Sequence, residues 1–126
     1  MILDSNIVIY SIQPAYSYLS EYLAERLDQL HASAITKVEV VGFHRLVQNE
    51  IDTFNSFFDV ITTLPITNQI IAEAIRLRQQ RKRSLGDSII AATALIYNLP
   101  VLTNNTADFL DVVGIEVIAL DSIPHS

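Results

Sequence analysis

No cysteine occurs in the chain, which rules out disulfides and thiolate zinc sites and makes a reducing compartment the natural fit. Glycine is scarce too, with three residues at positions 42, 86 and 114, so no glycine-rich loop is available to cradle a phosphate. Apolar runs stop well short of the ~20 residues a membrane span needs, and the N-terminus lacks a basic stretch followed by a cleavable apolar one. The expected location is the cytoplasm. Basic side chains are outnumbered, 8 Lys and Arg against 14 Asp and Glu, for a net charge of −6. Taken over the whole chain, that balance argues against a nucleic-acid partner. Histidines are few and scattered: His31 at an expected strand start, His44 in an expected helix, His125 in the tail. With no G-x-S-x-G turn anywhere, serine hydrolysis is disfavoured. A phosphatase with an Asp nucleophile and a second Asp two residues on is disfavoured because Asn6 holds that second position. A phosphoacceptor receiver domain would need an early adjacent acidic pair and a late lysine, whereas the lysines here are Lys37 and Lys82.

What remains is a single domain over residues 1–126, long enough to bury roughly two-thirds of its unfolded surface. Half of its residues are hydrophobic and mean hydropathy is +0.32, which leaves apolar surface for a partner. Repeats, linkers and low-complexity segments are absent. Residues 1–3 read as a strand, and Asp4-Ser5-Asn6 supplies capping side chains for a helix through Ile7 to Tyr10. Leu19, Leu23, Leu27 and Leu30 share one face of a helix expected over 18–30. A strand is expected over 31–35. A helix from Thr36 follows, with Glu39 in its first turn and Val40, Val41, Phe43, Leu46 and Val47 along it. The rest reads as a helix over 51–58, a strand over 60–64 and a long helix from Thr67 to about Arg81 with Ile70, Ile71, Ala74, Ile75 and Leu77 inward. Gly86-Asp87 punctuates that helix, a buried helix covers 88–97, and strands cover 101–103 and 116–120.

Strands alternating with helices predict an α/β fold with a mainly parallel sheet covered on both faces. Ligands bind such sheets outside the carboxyl ends of the strands, and acids stand there. Asp4 follows the first strand, Glu39 lies shortly past the second, and Asp108 follows the strand over 101–103. Asp87 heads the helix before that strand. Each acid singly is explained by capping or by the helix dipole. Together they share apolar surroundings that a plain cap does not need. Two carboxylates ~4 Å apart repel by roughly 4 kcal/mol at an effective dielectric of 20, so four would converge only around a cation. With oxygen ligands, no cysteine and no histidine cluster, that cation is a hard divalent ion, Mg²⁺ or Mn²⁺. The chemistry it implies is phosphodiester hydrolysis. Five of the eight basic residues, Arg76, Arg78, Arg81, Lys82 and Arg83, crowd just before Asp87. They read either as a solvated helix end or as a face for a phosphate chain. Arg78, Arg81 and Arg83 are the candidate contacts to such a phosphate chain. Tyr16, Tyr18 and Tyr22 read as half-buried packing or the floor of a partner groove, and Phe54, Phe57 and Phe58 as core or dimer contact.

Four segments in order, Leu3-Asp4-Ser5-Asn6, Ser33-Ala34-Ile35-Thr36 leading to Glu39, Gly86-Asp87 with Ile90 to Ala94, and Thr103 to Phe109, resemble a PIN-domain ribonuclease. More narrowly they resemble the VapC-type toxins of type II toxin–antitoxin pairs. The resemblance implies a three-layer α/β/α fold, a Mg²⁺- or Mn²⁺-dependent endoribonuclease, a homodimer, and inhibition by a cognate antitoxin protein. By position, Asp4, Glu39 and Asp87 match three acids of the family's metal site, with Asn6 and Thr103 as polar neighbours. Some members carry the fourth acid where this chain has Asn105; others carry it three residues later, as Asp108 does here. The expected set is therefore Asp4, Glu39, Asp87 and Asp108, with Asn105 in support. Ser5 replaces the more usual Thr and keeps a hydroxyl. Two other readings share the resemblance: a PIN nuclease of RNA maturation, and a catalytically silent PIN-like interaction module.

Overall fold

The computed structural model describes residues 1–125. Its centre is a wholly parallel five-stranded sheet in the order β3-β2-β1-β4-β5. The strands are β1 (Ile2–Leu3), β2 (His31–Ser33), β3 (Thr62–Leu64), β4 (Val101–Thr103) and β5 (Val117–Ala119). Around them lie α1 (Ser5–Tyr10), α2 (Ser17–Ala24), α3 (Ala34–Val41), α4 (Gln48–Val60), α5 (Asn68–Gln80) and α6 (Leu85–Tyr97).

Because successive strand residues point to opposite faces, the short strands divide the core in two. Leu3, Ala32 and Leu102 pack with Leu19, Leu23, Phe54 and Phe58 of α2 and α4 on one face. Ile2 and Val101 pack with Ile70, Leu77, Ile90 and Ala91 of α5 and α6 on the other. The result is the three-layer arrangement expected. Among the described residues no helix is long and apolar enough to cross a membrane.

Several boundaries move, each for a local reason. The helix expected over 18–30 stops at Ala24, where Arg26 folds back to donate to the Tyr22 carbonyl at 3.0 Å and lies 3.8 Å over the Tyr22 ring. Leu27, 39% exposed, is therefore outside the stripe. Strand β2 ends at Ser33, whose hydroxyl caps α3 by accepting from the Ile35 amide at 3.2 Å. Glu39 then sits in the second turn of α3, one turn later than expected. That helix closes at Val41, leaving Phe43, His44 and Val47 in the connection to α4. Helix α4 starts earlier than the apolar pattern, at Gln48, because the Glu50 carboxylate accepts from the Val47 amide at 3.1 Å. On α5 the inward stripe is Ile70, Ala74 and Leu77, while Ile71 and Ile75 face outward. Ser84 caps α6 by accepting from the Asp87 amide at 3.1 Å, so Gly86 and Asp87 lie inside its first turn. At the far end Asn98 takes the left-handed conformation (φ 53°) that stops the helix.

Leu102 is fully buried in the middle of the sheet. Leu102→Ala is expected to lower unfolding free energy by about 2–5 kcal/mol, measured by urea titration, without changing the slope.

Candidate functional site

The sheet reverses its winding between β1 and β4, which is where a parallel α/β sheet opens a crevice at its carboxyl edge. Asp4 stands in that crevice. Its amide donates to the Leu102 carbonyl at 3.0 Å, extending the β1–β4 pairing by one residue. One carboxylate oxygen accepts from the Ser5 amide and the other from the Thr103 hydroxyl, both at 2.8 Å. Only 6% of the residue is exposed. Burial raises its pKa, and the charge of Asp108 adds to that, against the opposing pull of the Thr103 and Ser5 hydrogen bonds.

Glu39 reaches the same edge from α3. Its Oε1 accepts from the Ser5 hydroxyl at 3.3 Å, so Ser5 links two of the acids, Asp4 through its backbone amide and Glu39 through its side chain. Helix α6 meets Glu39 at Gly86, where an added Cβ would lie 2.5 Å from Oε1 and 3.0 Å from Oε2. Only a residue without a side chain lets the carboxylate rest there. Partial burial raises the Glu39 pKa, and Asp4 adds to it while the Ser5 hydroxyl opposes.

Asp87, half-buried, projects from the first turn of α6. Its pKa is raised to about 6, by burial first, then by the charges of Asp4 and Asp108, with Glu39 adding less. Asp108 ends a 3₁₀ turn over Thr106–Asp108. Asn105 ties that turn back through its backbone: its amide donates to the Thr103 hydroxyl at 3.0 Å and its carbonyl accepts from the Asp108 amide at 3.0 Å. Asn6 lies half-buried in the first turn of α1.

The structure thus gathers Asp4, Glu39, Asp87 and Asp108 at one edge, close enough for each to feel another's charge. Among the described residues no Lys, Arg or His hydrogen-bonds any of the four carboxylates. This oxygen-only donor set, with Arg81 as a nearby cation that bonds none of its carboxylates, suits a hard divalent ion. Among the described residues no three acids or histidines converge tightly enough to cage one.

The basic cluster is less free than its sequence suggests. Arg76 pairs with Glu73 one turn away. Arg81 and Arg83 both bind Asp111, which carries no local signal in the sequence because its partners lie 30 and 28 positions away. The Arg83 side chain is 2% exposed and also donates to the Leu77 carbonyl at 3.0 Å. Arg83 is therefore committed to structural bonds, while it also lines the cleft formed with Arg81 and Lys82. Arg78 is exposed at the end of α5, and Lys82 with Arg81 lines a cleft of about 340 Å³ that Asp87 and Asp108 also border. A second groove, about 420 Å³ and mostly apolar, runs from Glu39 past Ile9, Ile12, Phe43, Leu46 and Phe54. Tyr10 and Tyr16 stack at 4.5 Å, and Phe54 and Phe58 are core.

The raised pKa of Asp87 has a sign that can be checked. Between 3.8 and about 6 the folded state holds a proton the unfolded state has lost, so stability falls as pH rises through that window. Without divalent ions, Asp87→Asn is expected to raise Tm at pH 7.5 by roughly 2–6 °C. It should also flatten the dependence of Tm on pH between 4 and 6, read by thermal melts in a chelator.

A family model described as PIN domain matches residues 1–115. Among solved structures the chain is similar to a toxin–antitoxin complex from Klebsiella pneumoniae, 28% identical over 94% of this chain and 95% of that one, with a TM-score of 0.74. It is similar in fold to DNA-bound VapBC from Salmonella typhimurium, 21% identical over 94% and 96% of the two chains, TM-score 0.82. The same holds for FitAcB from Neisseria gonorrhoeae, 22% identical over 93% and 95%, TM-score 0.75. No curated protein matches the chain. Since the matched span takes in all six helices, four of the five strands and every one of the clustered acids, the chain belongs to the PIN-domain family.

Proposed function

We propose that this chain is the toxin of a toxin–antitoxin pair and that it acts as a Mg²⁺- or Mn²⁺-dependent endoribonuclease hydrolysing RNA phosphodiester bonds. The observation that carries the reading is the gathering of four carboxylates at the carboxyl edge of the sheet, with no bonded cation to offset them. Keeping acids together in this way lowers stability, so a functional gain must favour it. The toxin assignment draws on the likeness to a toxin–antitoxin complex at 28% identity across nearly the whole chain. A cognate antitoxin, a second copy of this chain and a cytoplasmic setting belong to the same reading.

Asp4 is the best-held ligand, since Thr103 and the Ser5 amide fix both of its oxygens. Asp87, Asp108 and Glu39 would complete the site directly or through water. The ion would supply an activated water and stabilise charge on the scissile phosphate. Around it, Ser5 orients Glu39 and Thr103 orients Asp4. Arg78, Arg81 and Lys82 offer positive charge to the backbone of an RNA strand entering the cleft.

Purified protein is expected to cleave single-stranded RNA with Mg²⁺ and to stop in a chelator. Asp4→Asn should cost roughly 100-fold or more, given that even supporting groups around a metal are worth 10- to 100-fold. Equal rates for Asp4→Asn and wild type would overturn the assignment. Gly86→Ala offers a subtler check: its methyl displaces the flexible end of Glu39. The expected cost is about 100-fold in turnover, with a nearly unchanged melting temperature.

A further inference from the structure

We propose that Asp111, gripped by Arg81 and Arg83, is a positioning residue that sets the spacing of Asp87 and Asp108. The inference rests on the nuclease reading above and adds to it a device outside the four acids.

The two halves of the acidic edge are held differently. Asp4 and Glu39 are fixed by the β1–β4 pairing and by Ser5, which bonds both. Asp87 sits at the start of α6 and Asp108 on a 3₁₀ turn beyond the end of β4. Neither belongs to a strand, so no ladder bond sets the gap between them. Asp111 bridges it. Its carboxylate accepts from Arg81 Nε at 2.7 Å and Nη2 at 3.0 Å, and from Arg83 Nη2 at 2.8 Å and Nη1 at 3.2 Å. Both guanidinium groups thus grip it with two nitrogens, the geometry that fixes direction as well as distance.

Each arginine also holds backbone. Arg83 donates to the Leu77 carbonyl in α5, and the next residue, Ser84, caps α6 through the Asp87 amide. Arg81 donates to the Lys82 carbonyl at 2.9 Å and to the Asp108 carbonyl at 3.2 Å. One carboxylate therefore joins the end of α5, the start of α6 and the turn that carries Asp108. A surface ion pair by itself adds little stability. This one is built around an arginine side chain only 2% exposed, more fixing than a solvated pair provides.

Positioning and simple electrostatics predict opposite signs for one variant. Arg81→Gln removes a cation near the acids, which by charge alone would strengthen binding of Mn²⁺. If Arg81 and Asp111 position the site, Arg81→Gln and Asp111→Asn both weaken Mn²⁺ binding by roughly 10- to 100-fold. Both should also lower kcat on RNA by a comparable factor, and Asp111→Asn should leave KM unchanged. Asp111→Glu, which keeps the charge and both acceptor oxygens, should recover most of the loss. Calorimetric Mn²⁺ titration, steady-state cleavage and thermal melts on the full chain supply the readouts. Arg81→Gln, exposed at its site, remains informative should Asp111→Asn fail to fold by leaving Arg83 buried without its partner. Wild-type Mn²⁺ affinity and kcat in folded Arg81→Gln, or tighter ion binding, would overturn the proposal. Wild type that neither binds Mn²⁺ nor cleaves RNA would instead sink the nuclease reading, and the positioning role with it.

Discussion

The hydrogen bond from the Thr103 hydroxyl to the Asp4 carboxylate, 2.8 Å long and buried at the point where the sheet reverses, is the contact on which the site depends. It joins residues 99 positions apart and can form only when β1 and β4 lie side by side. The apolar pairs Ile2–Val101 and Leu3–Leu102 bring those strands together, and they commit their side chains to opposite cores. Folding the sheet and placing the acid are therefore one event. The same hydroxyl then accepts from the Asn105 amide, whose carbonyl receives the Asp108 amide. A single threonine thus transmits the position of Asp4 to the turn that carries the last acid.

Four acids at one edge are an energetic liability, and its distribution is informative. Asp4 is the most buried, yet two hydrogen bonds oppose its desolvation. Asp87 has its amide tied to Ser84, whose side chain opposes the shift only weakly, and feels the charges of the other three. Hence the pKa raised to about 6 belongs to Asp87, where burial is joined by the charges of all three neighbouring acids. Such a group stays protonated to higher pH than an ordinary aspartate, and on the proposed reading a divalent ion would compete with that proton.

Much of this was legible in the chain. Alternating strand and helix patterns implied a parallel sheet, and the rule that ligands sit at carboxyl edges selected Asp4, Glu39 and Asp108 from fourteen acids. The structure gathers these with Asp87 at one edge. What sequence reasoning missed shares a physical cause. Helix ends at Ala24 and Val41 depend on how Arg26 folds back and where the connection to α4 leaves the core, neither of which is a matter of periodicity. Ile71 and Ile75 are apolar but lie beside the inward stripe, a distinction of about 100° that composition does not make. Asp111 gave no local signal, because its meaning comes from arginines that only the tertiary fold brings near.

The basic cluster carries the most consequential revision. Read along the chain, five cations before Asp87 offset the net charge of −6 and offered a face for a phosphate backbone. In the fold, Arg76 is neutralised by Glu73, while Arg81 and Arg83 share Asp111. Arg78 and Lys82 remain as cations without a hydrogen-bonded acid among the described residues, and Lys82 lines the cleft beside the edge that carries four carboxylates. Such an edge repels a polyanion unless positive charge is added to it. On the proposed reading, substrate affinity and ion affinity are therefore coupled: a divalent cation held by the acids would also weaken the negative local field that an RNA strand meets. On that reading the arginines' larger contribution would be to geometry, by holding the segments that carry Asp87 and Asp108.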